Sequence, residues 1–357
     1  MNSKQLVAAA AMALSGAAMA QSSVTVYGRL DASIGSAKVG NITNGVGPAG
    51  VTQMFSNNIT TSRIGFRGTE DLGGGLSGLF IVETAFSPDA PGNTSLGDRA
   101  AVVGLSGGFG TIKLGRHDTS FDDIRDLMVS SNLWDSGSLA STETVLSTGA
   151  GATATNGVGG LQDYGDRASN QIRYESPSFS GFTFGVSQAF DENNATNRDV
   201  TAFNVRYKAG NLDVGVAYQE NSQQSVAPVS PATTIVTNAI DYTTVAGAYN
   251  FGSFRVSGGW NQAKQKEVAS PVKANTYTVG VNVPVDAWDF SLGYSTGKSK
   301  QNGATTEKGS AFSAGVTYSL SKRTRLYSAL TNGDIKNAAG TKLRQRDIYA
   351  LGLIHTF

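Results

Sequence analysis

Arg346-Asp-Ile-Tyr-Ala-Leu-Gly-Leu-Ile-His-Thr-Phe357 decides how the rest of the chain is read. Counted back by twos, Phe357, His355, Leu353, Leu351 and Tyr349 share one face, and Thr356, Ile354, Gly352, Ala350 and Ile348 share the other. A strand alternates its side chains with a period of two, so one face is bulky and the other mostly small. The stretch stops on an aromatic. In a closed barrel in an outer membrane, the final strand pairs with the first and an aromatic belongs at the water–lipid boundary. A soluble domain has no general reason to end this way, so the stretch is expected to be a barrel-closing strand.

The opening residues read as a targeting segment. Lys4 supplies the positive charge, Leu6 to Leu14 form a short apolar run, and Ala18-Met19-Ala20 fits a small-x-small cleavage rule. The expected domains are a signal peptide over 1–20 and a barrel over 21–357. The whole chain carries 28 Lys+Arg and 27 Asp+Glu. Removing Lys4 with the signal leaves 27 of each, a balance that argues against a nucleic-acid binder. Charged residues make up 15% and the chain holds 44 glycines and no cysteine. Disulfides therefore contribute nothing to stability, although an exported protein would be allowed them. Nothing after residue 20 approaches the ~18–20 apolar residues of a membrane helix. A membrane barrel escapes that test because lipid-facing and lumen-facing residues alternate and cancel.

Alternating runs recur along the mature chain, from Val24–Asp31 and Ser62–Gly68 through Leu79–Phe86, Ser180–Val186 and Asn211–Tyr218 to Phe312–Tyr318 and Thr324–Leu330. Seven short connections rich in Gly, Pro, Asn, Asp and Ser separate eight longer polar stretches, 37–56, 88–96, 118–166, 192–198, 222–239, 265–273, 300–308 and 334–344. This bookkeeping predicts a 16-stranded antiparallel transmembrane β-barrel with short inner turns and long outer loops. A run of ~12 residues at ~3.3 Å, tilted ~40°, crosses a ~25–30 Å apolar band. A large soluble all-β protein would instead bury its bulky residues in an internal core, whereas here bulky residues take one face and small and charged ones the other. The connection 118–166 is long enough to expect a function. Phe121–Met128 reads as a candidate short helix, and Ser138–Gly160 as irregular.

Val24-Thr-Val-Tyr-Gly28, Ser62-Arg-Ile-Gly-Phe-Arg-Gly-Thr-Glu-Asp-Leu-Gly-Gly-Gly75, Gly110-Thr-Ile-Lys-Leu-Gly-Arg116, Arg173-Tyr-Glu-Ser-Pro177, Ser321-Lys-Arg-Thr-Arg-Leu-Tyr327 and Ile354-His-Thr-Phe357 stand out as blocks. Together they resemble the Gram-negative general porins, most closely their betaproteobacterial branch. The likeness spans the mature chain. It implies a trimeric barrel whose third outer loop folds into the lumen, and passive diffusion of small hydrophilic solutes and ions across the outer membrane. It also implies lipid and lipopolysaccharide as surroundings, and barrel-assembly machinery reading the terminal face Tyr349, Leu351, Leu353 and Phe357. The second outer loop, Pro88 to Leu96, would reach a neighbouring protomer.

Such a channel makes no bonds; its chemistry is a width and a field. Parity assigns the lumen-facing charges. Val26 and Leu30 toward lipid put Tyr27, Arg29 and Asp31 inward; Ile64 and Phe66 toward lipid put Arg63 and Arg67 inward; Glu83 opposes Phe80, Val82 and Thr84. Arg99 sits at the outer start of the fourth strand, and Arg167 is read as sharing parity with Gln171, Arg173 and Glu175. A lipid-facing charge near mid-membrane costs about 2–4 kcal/mol, so energetics agree with the inward assignment. The resemblance implies a basic wall of Arg29, Arg63, Arg99 and Arg167, with Glu83 between the arginines, facing loop acids Asp118, Asp122, Asp123 and Asp126. Arg116 starts that loop. The 49 residues 118–166 hold eight acids and one arginine. The loop lacks the compact Pro-Glu-Phe-Gly-type tip of enterobacterial porins, which leaves its path open, and selectivity between anions and cations also stays open.

Other chemistry is poorly served. Asp122-Asp123 are adjacent and rarely converge on one substrate. His117 and His355 are the only histidines and have no cysteine or histidine cluster beside them, so neither a metal nor another cofactor is expected. Gly73-Gly-Gly75 and Gly107-Gly108 lack the following Lys-Ser/Thr of a phosphate loop. Ser321-Lys-Arg-Thr-Arg325 reads as a solvated turn. An outer-membrane hydrolase would need a nucleophile beside one of two distant histidines, an adhesive barrel an added domain, and an active transporter a plug that 337 residues do not accommodate.

Overall fold

The computed structural model describes residues 23–42, 46–90, 92, 94–128, 167–192, 199–222, 224–226, 235–237, 239–266 and 269–357. The targeting segment 1–20 and most of the long connection, 129–166, lie outside the described residues.

Seventeen strands form one antiparallel sheet that closes on itself. They are β1 (Ser23–Asn41), β2 (Val51–Ser56), β3 (Arg63–Gly73), β4 (Leu76–Ala85), β5 (Ala100–Gly107), β6 (Gly110–Asp118), β7 (Arg167–Glu175), β8 (Phe182–Ala189), β9 (Val200–Ala209), β10 (Leu212–Asn221), β13 (Ile240–Asn250), β14 (Arg255–Gln265), β15 (Val272–Val285), β16 (Trp288–Gln301), β17 (Ala304–Ser319), β18 (Thr324–Asn337) and β19 (Lys342–Thr356). Two short strands, β11 (Gln224–Val226) and β12 (Ile235–Thr237), form a separate hairpin in an outer connection. β2 and β3 both pair with β1, one above the other, so together they make one stave and the barrel has sixteen.

Closure joins β1 to β19 from Arg29 opposite Thr356 to Asn41 opposite Arg344. The ladder continues to the last residue: Gly28 N donates to Phe357 O at 3.1 Å, and Phe357 N donates to Gly28 O at 3.0 Å. The terminal alternation is as read from sequence. Tyr349 and Leu351 are 62% and 61% exposed, while Ala350 and Ile354 are 1% and 4%. With a water-filled interior, the exposed apolar face is the one turned to acyl chains. The same partition runs around the wall: Val26, Ile34, Phe66, Val103, Ile172, Val205, Val245 and Leu292 are all exposed. Aromatic pairs gather at the short-turn end, among them Trp288–Tyr318, Phe251–Phe254 and Phe182–Tyr207, each with centroids 4.5–4.6 Å apart. That is where an interfacial girdle belongs.

Strands β15 to β19 are longer than read from sequence, at 14 to 16 residues. They absorb much of the polar stretches 300–308 and 334–344. Roughly 15 residues at ~3.3 Å and ~40° tilt rise about 38 Å, beyond the ~25 Å apolar band. Above the band both strand faces meet water, so alternation disappears from the sequence while backbone pairing continues. Stretch 300–308 contains a signal that was available: Asn302 and Gly303 take φ of +50° and +81°, a two-residue hairpin turn between Gln301 and Ala304. The stretch 37–56 likewise proves largely strand, with its connection confined to 42–50.

A further departure lies between β2 and β3. Ala32 pairs with Ser56 and Arg29 with Arg63, so two residues of β1 face six of the partner. The excess forms a hook, residues 57–62, that leaves the wall on its inner side. Ile59 there is fully buried against a cluster containing Ala329, Ala350 and Ile354.

The closing seam generates a prediction. A Cβ on Gly28 would lie 2.5 Å from the Phe357 ring and 2.5 Å from the Arg63 carbonyl oxygen. Overpacking of this kind costs about 1–3 kcal/mol. Gly28→Ala is expected to lower the temperature at which the folded barrel loses its compact migration in detergent gels; an unchanged transition would show that the seam tolerates the methyl group.

Candidate functional site: the charged lumen

Two groups of charge face the interior from opposite sides. The first is built on β1, β3, β4 and the start of β5. Arg29 and Arg63 stand directly opposite in register, an arrangement that like charges alone disfavour. Two features compensate. Glu83 lies between Arg63 and Arg99, its Oε1 accepting from Arg99 Nε at 2.6 Å and from Arg63 Nη1 at 3.4 Å. Arg29 Nη1 donates to Thr60 Oγ1 of the hook at 2.6 Å.

Asp31, 0% exposed, organises the hook. Its Oδ2 accepts from Ile59 N at 2.8 Å and Thr60 N at 2.9 Å, and its Oδ1 accepts from Tyr327 Oη at 2.7 Å. Asn58 Nδ2 adds a bond to Ser33 Oγ at 2.7 Å. A carboxylate buried with three donors supports a fixed backbone path, because each charge-assisted bond would otherwise leave a desolvated group unmatched. The hook thus positions Arg29 from one side while β3 resumes at Arg63 on the other. Sequence parity placed Asp31 inward but did not anticipate the hook; the signal was Asn57-Asn58 inside an otherwise strand-like region, with Asn57 at φ +64°.

The second group is the described start of the long connection. It contains a short helix α1 (Asp122–Arg125) continued by a tight turn, Asp126–Met128, where the sequence predicts a short helix. Phe121, Ile124, Leu127 and Met128 bury against Ala202, Ala217, Tyr242, Ala246 and Ala263 on the inner side of β9 to β14. Each such side chain contributes about 1.5–3 kcal/mol. Arg173 on β7 holds one end: its Nη1 donates to the Asp118 and Thr119 carbonyls at 2.7 and 3.0 Å, and its Nη2 to both Asp123 carboxylate oxygens at 2.7 and 2.8 Å. Arg255 on β14 holds the other end through the Leu127 carbonyl at 3.3 Å. Thr119 Oγ1 to Gln219 Oε1 at 2.6 Å and Asn204 Nδ2 to Asp123 Oδ2 at 2.8 Å complete the attachment.

These contacts change the charge reading. Asp118 pairs with Arg167 at 2.8 Å, Asp122 with Arg125 at 2.9 Å and Asp123 with Arg173 at 2.7 Å. Asp126, 3.5 Å from Arg125, is the one of the four expected loop acids that is mainly exposed, its side chain at 65%. Burial pushes the Asp122 carboxyl well above the usual carboxylate range, against the opposing pull of Arg125.

Arg29, Arg63, Arg99 and Glu83 lie together on neighbouring strands, and Arg167 pairs with Asp118 at the start of the connection. Its parity argument is superseded, however: the register shifts between Gly115 and His117, and Asn170 takes φ +53°, so a bulge resets the alternation between Arg167 and Gln171. Arg116 is not part of the cluster. It pairs with exposed Ala101 and donates to the Asp98 carbonyl at 2.6 Å and to Ser169 Oγ at 3.0 Å. The anchoring roles of Arg173 and Arg255 were not legible, since both are inward charges like any other until the connection is seen lying on them. His117 stands at the long-loop end of β6 and His355 at the short-turn end of β19, bonded to Thr324 Oγ1 at 2.9 Å, which keeps the two histidines apart. Among the described residues no group of three metal-ligating side chains converges.

Removing the Arg173 guanidinium takes a donor from two carbonyls and the cationic partner from Asp123, which retains the Asn204 bond, a loss of about 3–5 kcal/mol for a buried pair broken on one side. Arg173→Ala is therefore expected to free the start of the connection, giving noisier and variable single-channel currents; currents as steady as wild type would show that the apolar seat alone holds it.

Comparison with known proteins agrees with this architecture. The family model for Gram-negative porins matches residues 7–338. The outer membrane porin protein 32 of Delftia acidovorans is 34% identical over 98% of this chain and 95% of its own length, and an outer membrane porin protein of Bordetella pertussis is 29% identical over 99% and 100%. Among solved structures, the anion-selective porin from Comamonas acidovorans superposes with a TM-score of 0.77 at 26% identity, covering 94% of this chain and 100% of that one. The chain belongs to the Gram-negative porin family, and forms a water-filled barrel of the outer membrane through which small hydrophilic solutes and ions diffuse passively.

Proposed function

We propose that this porin favours small anions, and that its constriction lies between the Arg29–Arg63–Arg99 wall and the connection that begins at Asp118. The observation carrying this reading is the uneven pairing of charge. On the wall, one carboxylate, Glu83, lies between Arg63 and Arg99. On the connection, Asp118, Asp122 and Asp123 are each matched by an arginine. Among the described residues, the expected standoff of basic wall against acidic loop is thereby weighted toward the bases. The relative described as anion-selective is consistent with this direction.

We infer three further features of this porin. Residues 1–20 act as a signal peptide, so the mature N-terminus is Gln21, which N-terminal sequencing of the outer-membrane protein checks. The functional unit is a homotrimer, which gives conductance steps in threes in planar bilayers; Pro88 to Leu96 is the segment nearest a neighbour. The outward terminal face of Tyr349, Leu351, Leu353 and Phe357 is the stretch recognised by barrel-assembly machinery.

Selectivity is measured by reversal potential in a KCl gradient. One unit charge about 6 Å from the ion path in water is worth about 0.7 kcal/mol, roughly threefold in local concentration. Arg63→Ala is expected to shift the anion-to-cation ratio toward cations by about that factor. An unmoved reversal potential would remove Arg63 from the constriction.

Acidification tests the loop side. A carboxyl whose folded pKa is raised takes up its proton first as pH falls, whereas the arginines keep their charge. Anion preference is therefore expected to grow as pH is lowered from neutral, and to begin growing at higher pH in wild type than in Asp122→Asn. Linkage has the same sign: the stabilisation of protonated Asp122 is complete below its unfolded pKa and is lost as pH rises through the raised folded value. Identical pH profiles for the two proteins would exclude Asp122 from the field.

A further inference from the structure

Below the Arg63–Glu83–Arg99 cluster the inner wall turns apolar, where a water-filled lumen favours polar side chains. Glu83, Ile81 and Leu79 follow one another at a spacing of two on β4, so they share the inward face. Their partners on β3 are Gly65, Arg67 and Thr69, which alternate with the exposed, outward Phe66. Phe80 and Val82 on the other side of β4 are apolar as well, so residues 79–82 are apolar on both faces. Inward apolar side chains elsewhere, Tyr242, Ile348 and Ile354 among them, are buried. Ile81 and Leu79 are only half-buried and border open space.

That space is a cavity of about 360 Å³, with Thr25, Arg67, Leu79, Ile81, Lys113 and Glu175 among the residues lining it. Its volume falls within the ~300–1,000 Å³ of small-molecule sites. Leu79 lies across Gly104 of β5, where a Cβ would be 3.1 Å from Leu79 Cδ1. Charge on the rim is uneven. Lys113 Nζ and Arg173 Nε share one oxygen, Glu175 Oε1, at 2.8 and 2.9 Å. Arg67 has no carboxylate partner among the described residues; its Cζ lies over the Tyr27 ring, 5.0 Å from the centroid. A guanidinium held by its face keeps its N–H edge available for a carboxylate. A hydrated inorganic anion gains nothing from Ile81 and Leu79, and a neutral apolar solute gains nothing from Arg67. An anion with an apolar body uses both. Ile81 and Leu79 lie two and four residues from Glu83, about 5 and 10 Å toward the short-turn end at ~3.3 Å per residue and ~40° tilt. The cavity is therefore separate from the constriction.

We propose that this cavity binds small aromatic carboxylates, with the carboxylate on Arg67 and the ring on Ile81 and Leu79. The channel then discriminates among anions of equal charge by the apolar body they carry, a distinction the constriction's field does not make. The site rests on the inward register of β3 to β6 and not on the anion preference of the constriction, so either reading can fail alone.

The test titrates benzoate, acetate and benzamide, which carry both features, the charge alone and the ring alone. Binding is read as saturable excess noise in the current through the protein in planar bilayers. About 40 Å² of ring laid on the apolar floor at ~25 cal/mol per Å² is worth roughly fivefold in affinity. Wild type is therefore expected to half-saturate with benzoate at a concentration about fivefold below acetate, and benzamide to give no saturable noise. Ile81→Gln is expected to bring benzoate to the acetate value, and Arg67→Gln to weaken both. Arg63→Ala is expected to keep the benzoate-to-acetate ratio while its reversal potential moves. Equal half-saturation by benzoate and acetate in wild type, a wild-type ratio in Ile81→Gln, or loss of the ratio in Arg63→Ala overturns the proposal. An unmoved reversal potential in Arg63→Ala with the ratio intact rejects the constriction reading and supports this site. Compact migration in detergent gels reports folding. Should Ile81→Gln fail to fold, Leu79→Asn and the three-probe comparison on wild type still decide.

Discussion

A backbone amide without a partner in hydrocarbon costs several kcal/mol, and no water is present to relieve it. That constraint explains the β1–β19 seam. Sixteen staves are of use to a membrane protein only if the first and last meet, and here they pair from Arg29–Thr356 to Asn41–Arg344 and onward through two bonds between Gly28 and Phe357. Once the ring is closed, side-chain direction is no longer a choice: every residue faces acyl chains or the interior. The bulky terminal face, the apolar outer band and the inward arginines are consequences of one closure.

Closure leaves the interior unspecified, and the protein furnishes it from two sides. The hook between β2 and β3 turns in around Asp31 and holds Arg29, while Glu83 lies between Arg63 and Arg99. On the far side, four apolar residues of the long connection sit on alanines of the wall and two arginines grip its backbone. Alanine is what makes that seat possible, since larger inward residues would occupy the same volume. Among the described residues, Asp118, Asp122 and Asp123 of the connection are each matched by an arginine on or near the connection itself. A count of charges along the sequence does not reveal that pairing.

Legibility differed with what each feature depends on. Tyr349, Leu351 and Leu353 were readable because one face of a strand against lipid imposes a strict period. Arg29, Arg63 and Glu83 were readable for the same reason, as charges that the lipid face excludes. Lys298, Lys300 and Lys308 were hidden: above the apolar band both faces are polar, and strand looks like loop. Arg167 was assigned inward by counting, and a single extra residue near Asn170 shows how locally such counting fails.

Membrane placement, strand class and wall polarity were determined by the sequence alone, because each follows from a two-residue period against a two-phase solvent. Only the tertiary structure decided which acids are matched by arginines and where the wall turns inward. Those depend on register between strands far apart in the chain: Tyr327 meets Asp31 across nearly the whole sequence, and no local pattern encodes that meeting.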